Sequence, residues 1–313
     1  MAALRQSMIW RGIPLGTTSA WGGTELLLGE AGADGPGVLI TAGIHGDEGP
    51  WGGWAIHKLL ERLDENDLRG FIRVLPLANP LALQADKRNA PIDQLDLNRA
   101  FPGDPTGSYT ERLAHILATA ALENIDYVID LHGGGSWCVN AFVFEMAGGR
   151  ELSLCFPAPF IVEAPARDVS LTGYAHSLGM TVAAVEMGGR GQFEEEWAEK
   201  IAAGLLRALC QVGVVDARLA PPPVEPPLPV VNSVVLRPNQ GGIFVPAVRA
   251  GQIGTVVEKD RLLGQMLHPA TYALLEEFRA PYDQTAMLLL RPFMAQLEAG
   301  AMTYVLAEPA GKA

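Results

Sequence analysis

Six prolines fall between Pro221 and Pro229 in the stretch "ARLAPPPVEPPLPVV", residues 217 to 231. Proline has no backbone N–H and a fixed φ, so no helix can run through this stretch and stiff, extended backbone is expected. The chain must be organised on either side of it. Before it, "FEEEWAEKIAAGLLRALCQVGVV" has the spacing of an amphipathic helix with acids in its first turns. After it, short β-like runs ("GGIFVPAV", "GTVVEK", "AMLLLRPF", "AMTYVLA") are punctuated by glycine and proline, the pattern of a small β domain. The expected organisation is a larger unit over residues 1–216, a proline-rich linker over 217–231 and a small β domain over 232–313.

The larger unit alternates apolar runs with helical patterns. "GVLITAGI" (37 to 44) precedes "EGPWGGWAIHKLLERL"; "FIRVLPLAN" (71 to 79) precedes "TERLAHILATAALE"; "DYVIDLH" (126 to 132), "APFIVE" and "TVAAVEM" (181 to 187) follow. Strands alternating with helices predict an α/β domain with a mixed, mostly parallel sheet. Ligands of such sheets bind at the carboxyl ends of the strands.

Three apolar runs stop at a polar residue followed at once or nearly so by glycine: His45 in "AGIHGDEG", His132 in "VIDLHGGG" and Glu186 in "VAAVEMGG". If the strands are parallel, these groups share one edge of the sheet. Two histidines and one glutamate are a catalytic zinc set, in which three protein ligands leave the fourth position open. His45 and Glu48 fit as a close pair, with His132 as the third arm; Asp47 is a less suitable substitute. Asp130, two residues before His132 on the same strand face, is placed to hold the other N–H of a histidine. His57 and His115 lie on helix-like stretches and are read as ordinary surface or core histidines.

"LDLNRAFPG" (95 to 103) sets Asn98 beside Arg99. Arginine offers a planar fork that grips a carboxylate through two parallel hydrogen bonds, and a neighbouring amide can share the anion. Taken alone, an ion pair of Arg99 with Asp96 or Asp104 explains it better. A second arginine near the zinc, from the Lys87-Arg88 pair, would polarise a carbonyl oxygen.

Composition narrows the partners. The net charge is −12 and no basic run exceeds Lys87-Arg88, which argues against nucleic acid. Cys138, Cys155 and Cys210 are odd in number and widely spaced, so neither a disulfide framework nor a CxxC site is expected. No signal-peptide apolar region and no 18-residue apolar stretch occurs, so no membrane association is expected and a cytoplasmic location is the default.

Taken in order, "GIHGDEG", "LDLNRAFPG", "DLHGG" and "VEMGG" resemble the succinylglutamate desuccinylase and aspartoacylase family, a branch of the zinc-carboxypeptidase fold, over most of the chain. The resemblance implies an amidohydrolase with one zinc ion that releases a carboxylic acid and a free amino acid from an N-acyl amino acid. It implies His45, Glu48 and His132 as zinc ligands, Glu186 as the catalytic glutamate, and Asn98 and Arg99 as holders of the substrate α-carboxylate. Arg88 becomes the carbonyl-polarising arginine, with Lys87 or another register as the alternative. Where aspartoacylase-like members carry an arginine about ten residues before the glutamate, this chain has "YAHSLGM"; Tyr174 and His176 then face the substrate, and an acidic side chain is disfavoured. The sequence is nearer to deacetylases of neutral or basic amino acids, such as N-acetyl-diaminobutyrate. "LRPNQGGIFVPAV" and "RPFMAQLEAGAMTYVLA" resemble the lipoyl-like β domain of these deacylases. Its only lysines, Lys259 and Lys312, do not suit a carrier hairpin, so it is read as a structural cap or a contact in a homo-oligomer.

Two rivals remain. A zinc carboxypeptidase would use a tyrosine before the glutamate, for which Tyr174 is available, although its third ligand usually lies further on than the 84 residues from Glu48 to His132. A non-catalytic metal-binding protein would have no need of Glu186 or the Asn98-Arg99 pair.

Overall fold

The chain is described here from a computed structural model covering residues 3–17, 24–32, 34–48, 50–163, 167–189 and 194–311; Lys312 lies outside them. Before the proline-rich stretch it forms β1 (Ile9–Pro14), β2 (Glu25–Gly32), β3 (Gly37–Ala42), β4 (Phe71–Leu75), β5 (Tyr127–His132), β6 (Val139–Glu145), β7 (Phe160–Glu163) and β8 (Thr181–Gly188). The strands β4, β3, β5 and β8 lie side by side and parallel, in that order. β3 is buried along its whole length, as expected of a parallel strand covered on both faces.

Helices supply the two covers. On one face, the helices Pro50–Glu61 and Glu194–Gln211 bury Ile56, Leu59, Ile201 and Leu205 against Val38, Ile40, Ala183 and Val185. On the other, Leu113 and Leu171 pack with Leu39, Val128 and Val182. Each such side chain contributes about 1.5–3 kcal/mol through burial. The first helix lies close because Gly52 faces β3: a Cβ there would stand 2.9 Å from Cβ of Ala42. The last helix begins with Glu194, Glu195 and Glu196, acids that suit the positive end of its dipole.

The remaining strands are β9 (Leu228–Leu236), β10 (Gly242–Pro246), β11 (Val256–Glu258), β12 (Leu262–Leu267), β13 (Leu274–Arg279), β14 (Gln284–Leu290), β15 (Ala295–Leu297) and β16 (Tyr304–Pro309). β9 starts at Leu228, inside the stretch read as linker, and pairs with β7 on one side and β16 on the other. Extended proline-rich backbone thus feeds directly into a strand. The main sheet continues through β9, β16, β14 and β11, and β14 returns to pair with β6. Parallel pairing dominates the site-bearing strands, but most pairings added by β1, β2 and the later strands are antiparallel. A separate antiparallel sheet, β13-β12-β10-β15, packs on the main one through Phe244, Met266 and Tyr304. Lys259 follows β11 and pairs with Asp283.

Candidate active site

The carboxyl ends of β3 and β5 bring His45 and His132 together, with ring centroids 5.0 Å apart. Glu48 enters from the 3-10 turn Gly46–Glu48 that follows β3. Its Oε1 lies 2.6 Å from Nδ1 of His45 and its Oε2 2.8 Å from Nδ1 of His132. All three residues are buried, and one donor atom from each falls within 4.8 Å of the others.

The far ring nitrogens are also held. Nε2 of His132 lies 2.8 Å from Oδ2 of Asp130, whose Oδ1 accepts from Thr41 Oγ1 at 2.5 Å. Nε2 of His45 lies 3.1 Å from Oδ1 of Asp96. Carboxylates that take the outer N–H of each ring leave both Nδ1 atoms turned inward, the arrangement that orients histidine metal ligands. The donor set therefore suits a divalent ion such as zinc.

Electrostatics agree with this geometry. Burial pulls the imidazoles of His45 and His132 down, but the neighbouring carboxylates, Glu48 at both and Asp130 at His132, outweigh it and raise both. Burial would raise Glu48, yet the two histidines hold it well below the ordinary carboxylate range. Four buried ionisable side chains in such contact represent a high local charge density that a cation would reorganise.

Around this cluster opens a cavity of about 460 Å³. Glu186, on β8 directly beside His132 of β5, lines it. Burial pushes the Glu186 carboxyl up to about 7, with the Glu48 charge adding to the effect and His132 opposing it. That range suits a group that takes and returns protons near neutral pH. Its Oε2 accepts from Nδ2 of Asn140 at 2.7 Å. Arg88 also lines the cavity; its Nη2 donates to Oδ2 of Asp96 at 2.9 Å, and its Nη1 lies 3.5 Å from Glu48. Asn98 and Arg99 stand on the rim, with Nδ2 of Asn98 3.4 Å from Nε2 of His132.

The model of the succinylglutamate desuccinylase/aspartoacylase catalytic domain matches residues 34–211, more than half of the chain. The chain belongs to this family. A relative from Halomonas elongata, N-alpha-acetyl-L-2,4-diaminobutyric acid deacetylase, is 30% identical over 93% of this chain and 87% of its own. Among solved structures, a succinylglutamate desuccinylase/aspartoacylase from Rhodobacter sphaeroides matches with a TM-score of 0.82 and 25% identity, covering 97% of this chain and 95% of that one. The product-bound ectoine utilization protein EutE from Ruegeria pomeroyi has the same fold, with a TM-score of 0.80 at 24% identity over 96% of this chain and 94% of that one.

Within this desuccinylase/aspartoacylase frame, the fold gathers His45, Glu48, His132, Arg88, Asn98, Arg99 and Glu186 around one cavity, with Asp130 behind His132. It does not bring Tyr174 and His176 there. Tyr174 packs into the core beside the sheet and stacks on Phe101 with ring centroids 6.5 Å apart, and His176 follows on the same helix, away from the lining residues. The helix Leu171–Ser177 instead offers Thr172 to the cavity, with Ser170 and Arg167 just before it. Asp47 lines the cavity as a buried residue, Ser136 Oγ donating to its Oδ2 at 3.4 Å, and is not one of the convergent His45-Glu48-His132 group. His57 stacks on Trp54 instead. Sequence reasoning missed Asn140 and the bridging role of Asp96.

Proposed function

We propose that the protein hydrolyses the amide bond of an N-acyl amino acid, N-acetyl foremost, releasing a carboxylic acid and the free amino acid. The observation that carries this reading is the placement of Glu186: a half-buried carboxyl of raised pKa, one strand from His132, in the same cavity as a convergent His45-Glu48-His132 set. Membership of a family whose relatives are named as deacetylases, desuccinylases and aspartoacylases supports the amide as the bond cleaved.

In this reading His45, Glu48 and His132 hold one zinc ion. When bound, zinc supplies Lewis acidity that makes water a competent nucleophile at neutral pH. Glu186 takes the proton of the attacking water and returns it to the leaving nitrogen. Asn140 fixes the carboxylate that performs both transfers. Arg88, steadied by Asp96, presents its guanidinium to the carbonyl oxygen as negative charge develops there. Asn98 and Arg99 take the α-carboxylate and thereby set the scissile bond beside Glu186. The neutral or basic amino acids favoured by the sequence remain the proposed leaving group, and the cytoplasm the proposed location. All three cysteines are free and buried, and no helix among the described residues is long and apolar enough to cross a membrane.

The carboxypeptidase alternative relied on Tyr174, which packs on Phe101 instead. Product analysis of zinc-loaded protein with N-acetyl and N-succinyl forms of acidic, neutral and basic amino acids, together with dipeptides, separates the readings. Release of a free amino acid from an N-acyl form supports the deacylase. Cleavage of dipeptides alone supports the peptidase, and zinc binding without any product supports a non-catalytic role.

A further inference from the structure

The register of the sheet sorts the site residues into rows. Cα partners on neighbouring strands share a face, so each row can be followed across the sheet. One row runs Thr41, Asp130, Ala184, Phe144 across β3, β5, β8 and β6. The next runs His132, Glu186, Phe142. A third runs Gly188, Asn140, Leu289, Val305, reaching β14 and β16. The same face is thus polar up to β8 and, apart from Asn140, apolar beyond it. Glu186 stands on the boundary.

The apolar half is a wall of the cavity, not only packing beneath it. Phe142, Phe144, Ala184, Leu289 and Val305 all line it, and the C-terminal strands contribute the last two. The Phe142 and Phe144 rings meet edge to face at 5.1 Å, an arrangement that fixes both without filling the space above them. Of the charged groups that line the cavity, Glu186 is the Cα partner of Phe142 at the edge of the wall, Glu48 and Arg88 stand with the histidines, and Arg99, Asp47 and exposed Arg167 come from outside the wall's strands. A charged substituent lying along Phe142, Phe144, Leu289 and Val305 would lose its hydration with no charge on the wall itself to replace it, whereas a hydrocarbon gains there.

We propose that this wall is a substrate subsite for an uncharged apolar group, carried on the N-acyl amino acid beyond the reacting carbonyl or on the amino acid's side chain. The inference rests on the proposed deacylase reading and adds the chemical class of the substituent. A substrate then spans the boundary at Glu186. Its carboxylate lies at Asn98 and Arg99, its amide beside Glu186, and four or more carbons of hydrocarbon along Phe142, Phe144, Leu289 and Val305.

Two substrate series test it on zinc-loaded protein. In one, alanine carries acetyl, butyryl or hexanoyl groups; in the other, acetyl is kept and alanine is replaced by norvaline, leucine or phenylalanine. Burial of each methylene predicts a gain in kcat/KM of about threefold to fourfold along one series, and the series that rises identifies the substituent on the wall. N-succinyl-alanine is expected to fall at least tenfold below N-butyryl-alanine. Phe144→Gln and Val305→Phe should each flatten the rising series, the first by making the wall polar and the second by filling it. Having both keeps the test open if one fails to fold. Flat or falling rates in both series, or succinyl outrunning butyryl, would overturn the subsite and leave the deacylase reading standing. If no compound is hydrolysed, the deacylase reading fails. The subsite is then judged by equilibrium binding of the same compounds, where affinity that rises with hydrocarbon length supports it and constant affinity overturns it.

Discussion

Asn140 donates from Nδ2 to Oε2 of Glu186 at 2.7 Å, across the antiparallel pair formed by β6 and β8. The bond restrains a carboxylate that, in the proposed reaction, faces the attacking water and then the leaving nitrogen. A hydrogen bond to a charged group is worth about 1.5–3 kcal/mol. Asn140→Ala is therefore expected to lower kcat by roughly tenfold to a hundredfold, with KM and bound zinc unchanged. Steady-state kinetics with parallel metal analysis checks this; a rise in KM at constant kcat would assign Asn140 to binding.

Asp96 joins two parts of the site, with His45 on one oxygen and Arg88 on the other. Partners that orient a metal ligand typically govern affinity by about 10–100-fold. Asp96→Ala should weaken zinc by about that factor and also lower kcat in zinc-saturated enzyme, because Arg88 loses its brace. Competition against a fluorescent chelator measures the first effect, and turnover at saturating zinc the second. Loss of zinc affinity alone, with full turnover restored by excess metal, would remove Arg88 from the mechanism.

The metal-free protein has a definite pH signature. His45 and His132 are raised above their ordinary 6.5, so the folded state binds their protons more tightly than the unfolded chain. That stabilisation is complete below pH 6.5 and disappears as pH rises through the folded values. Glu186, raised from 4.5 to about 7, acts in the same direction at lower pH. Chelator-treated protein should lose thermal stability from pH 6.5 upward, while zinc should stabilise it more at pH 8 than at pH 6, since the ligands must shed protons to bind. Melting curves with and without chelator across this range test both signs.

Tyr304 opens β16 and is fully buried, and its hydroxyl donates to the Leu263 carbonyl at 2.7 Å, tying the main sheet to the smaller one. Tyr304→Phe removes one of the two donors to that carbonyl, the Ala247 N–H remaining at 2.7 Å, and should cost about 0.5–1.5 kcal/mol of stability. Urea denaturation reads this directly, and kcat should stay within twofold of wild type.

The parts of this site that could be read from sequence are those fixed where a strand stops. His45, His132 and Glu186 each end an apolar run before glycine, so strand direction alone puts them on one edge. Other parts depend on information that local pattern lacks. Distance before Glu186 points to Tyr174 and His176, but the phase of the helix Leu171–Ser177 decides which residues face the cavity, and it selects Thr172. Asn140, Phe142 and Phe144 belong to β6, which inserts between β8 and β7, antiparallel to the first and parallel to the second, and strand order is a property of the whole sheet. Asp96 lies between Arg88 and Arg99 along the chain, and only the fold gives it Arg88 and His45 together. Within the proline-rich stretch Ala217–Leu219 form a 3-10 turn and strand begins at Leu228, and the partner strands that make Leu228 onward part of the main sheet come from distant sequence.

The central claim is that Glu186 moves protons in a zinc-assisted amide hydrolysis. Release of free amino acid by Glu186→Gln, prepared with zinc and measured beside wild type on the same N-acetyl substrate, tests it most directly. The account predicts one zinc per chain in both proteins and a loss of turnover of about 10²–10⁴-fold in the variant, the range spanned by general acid–base catalysis. A variant that keeps its zinc and retains a substantial share of wild-type turnover would contradict it.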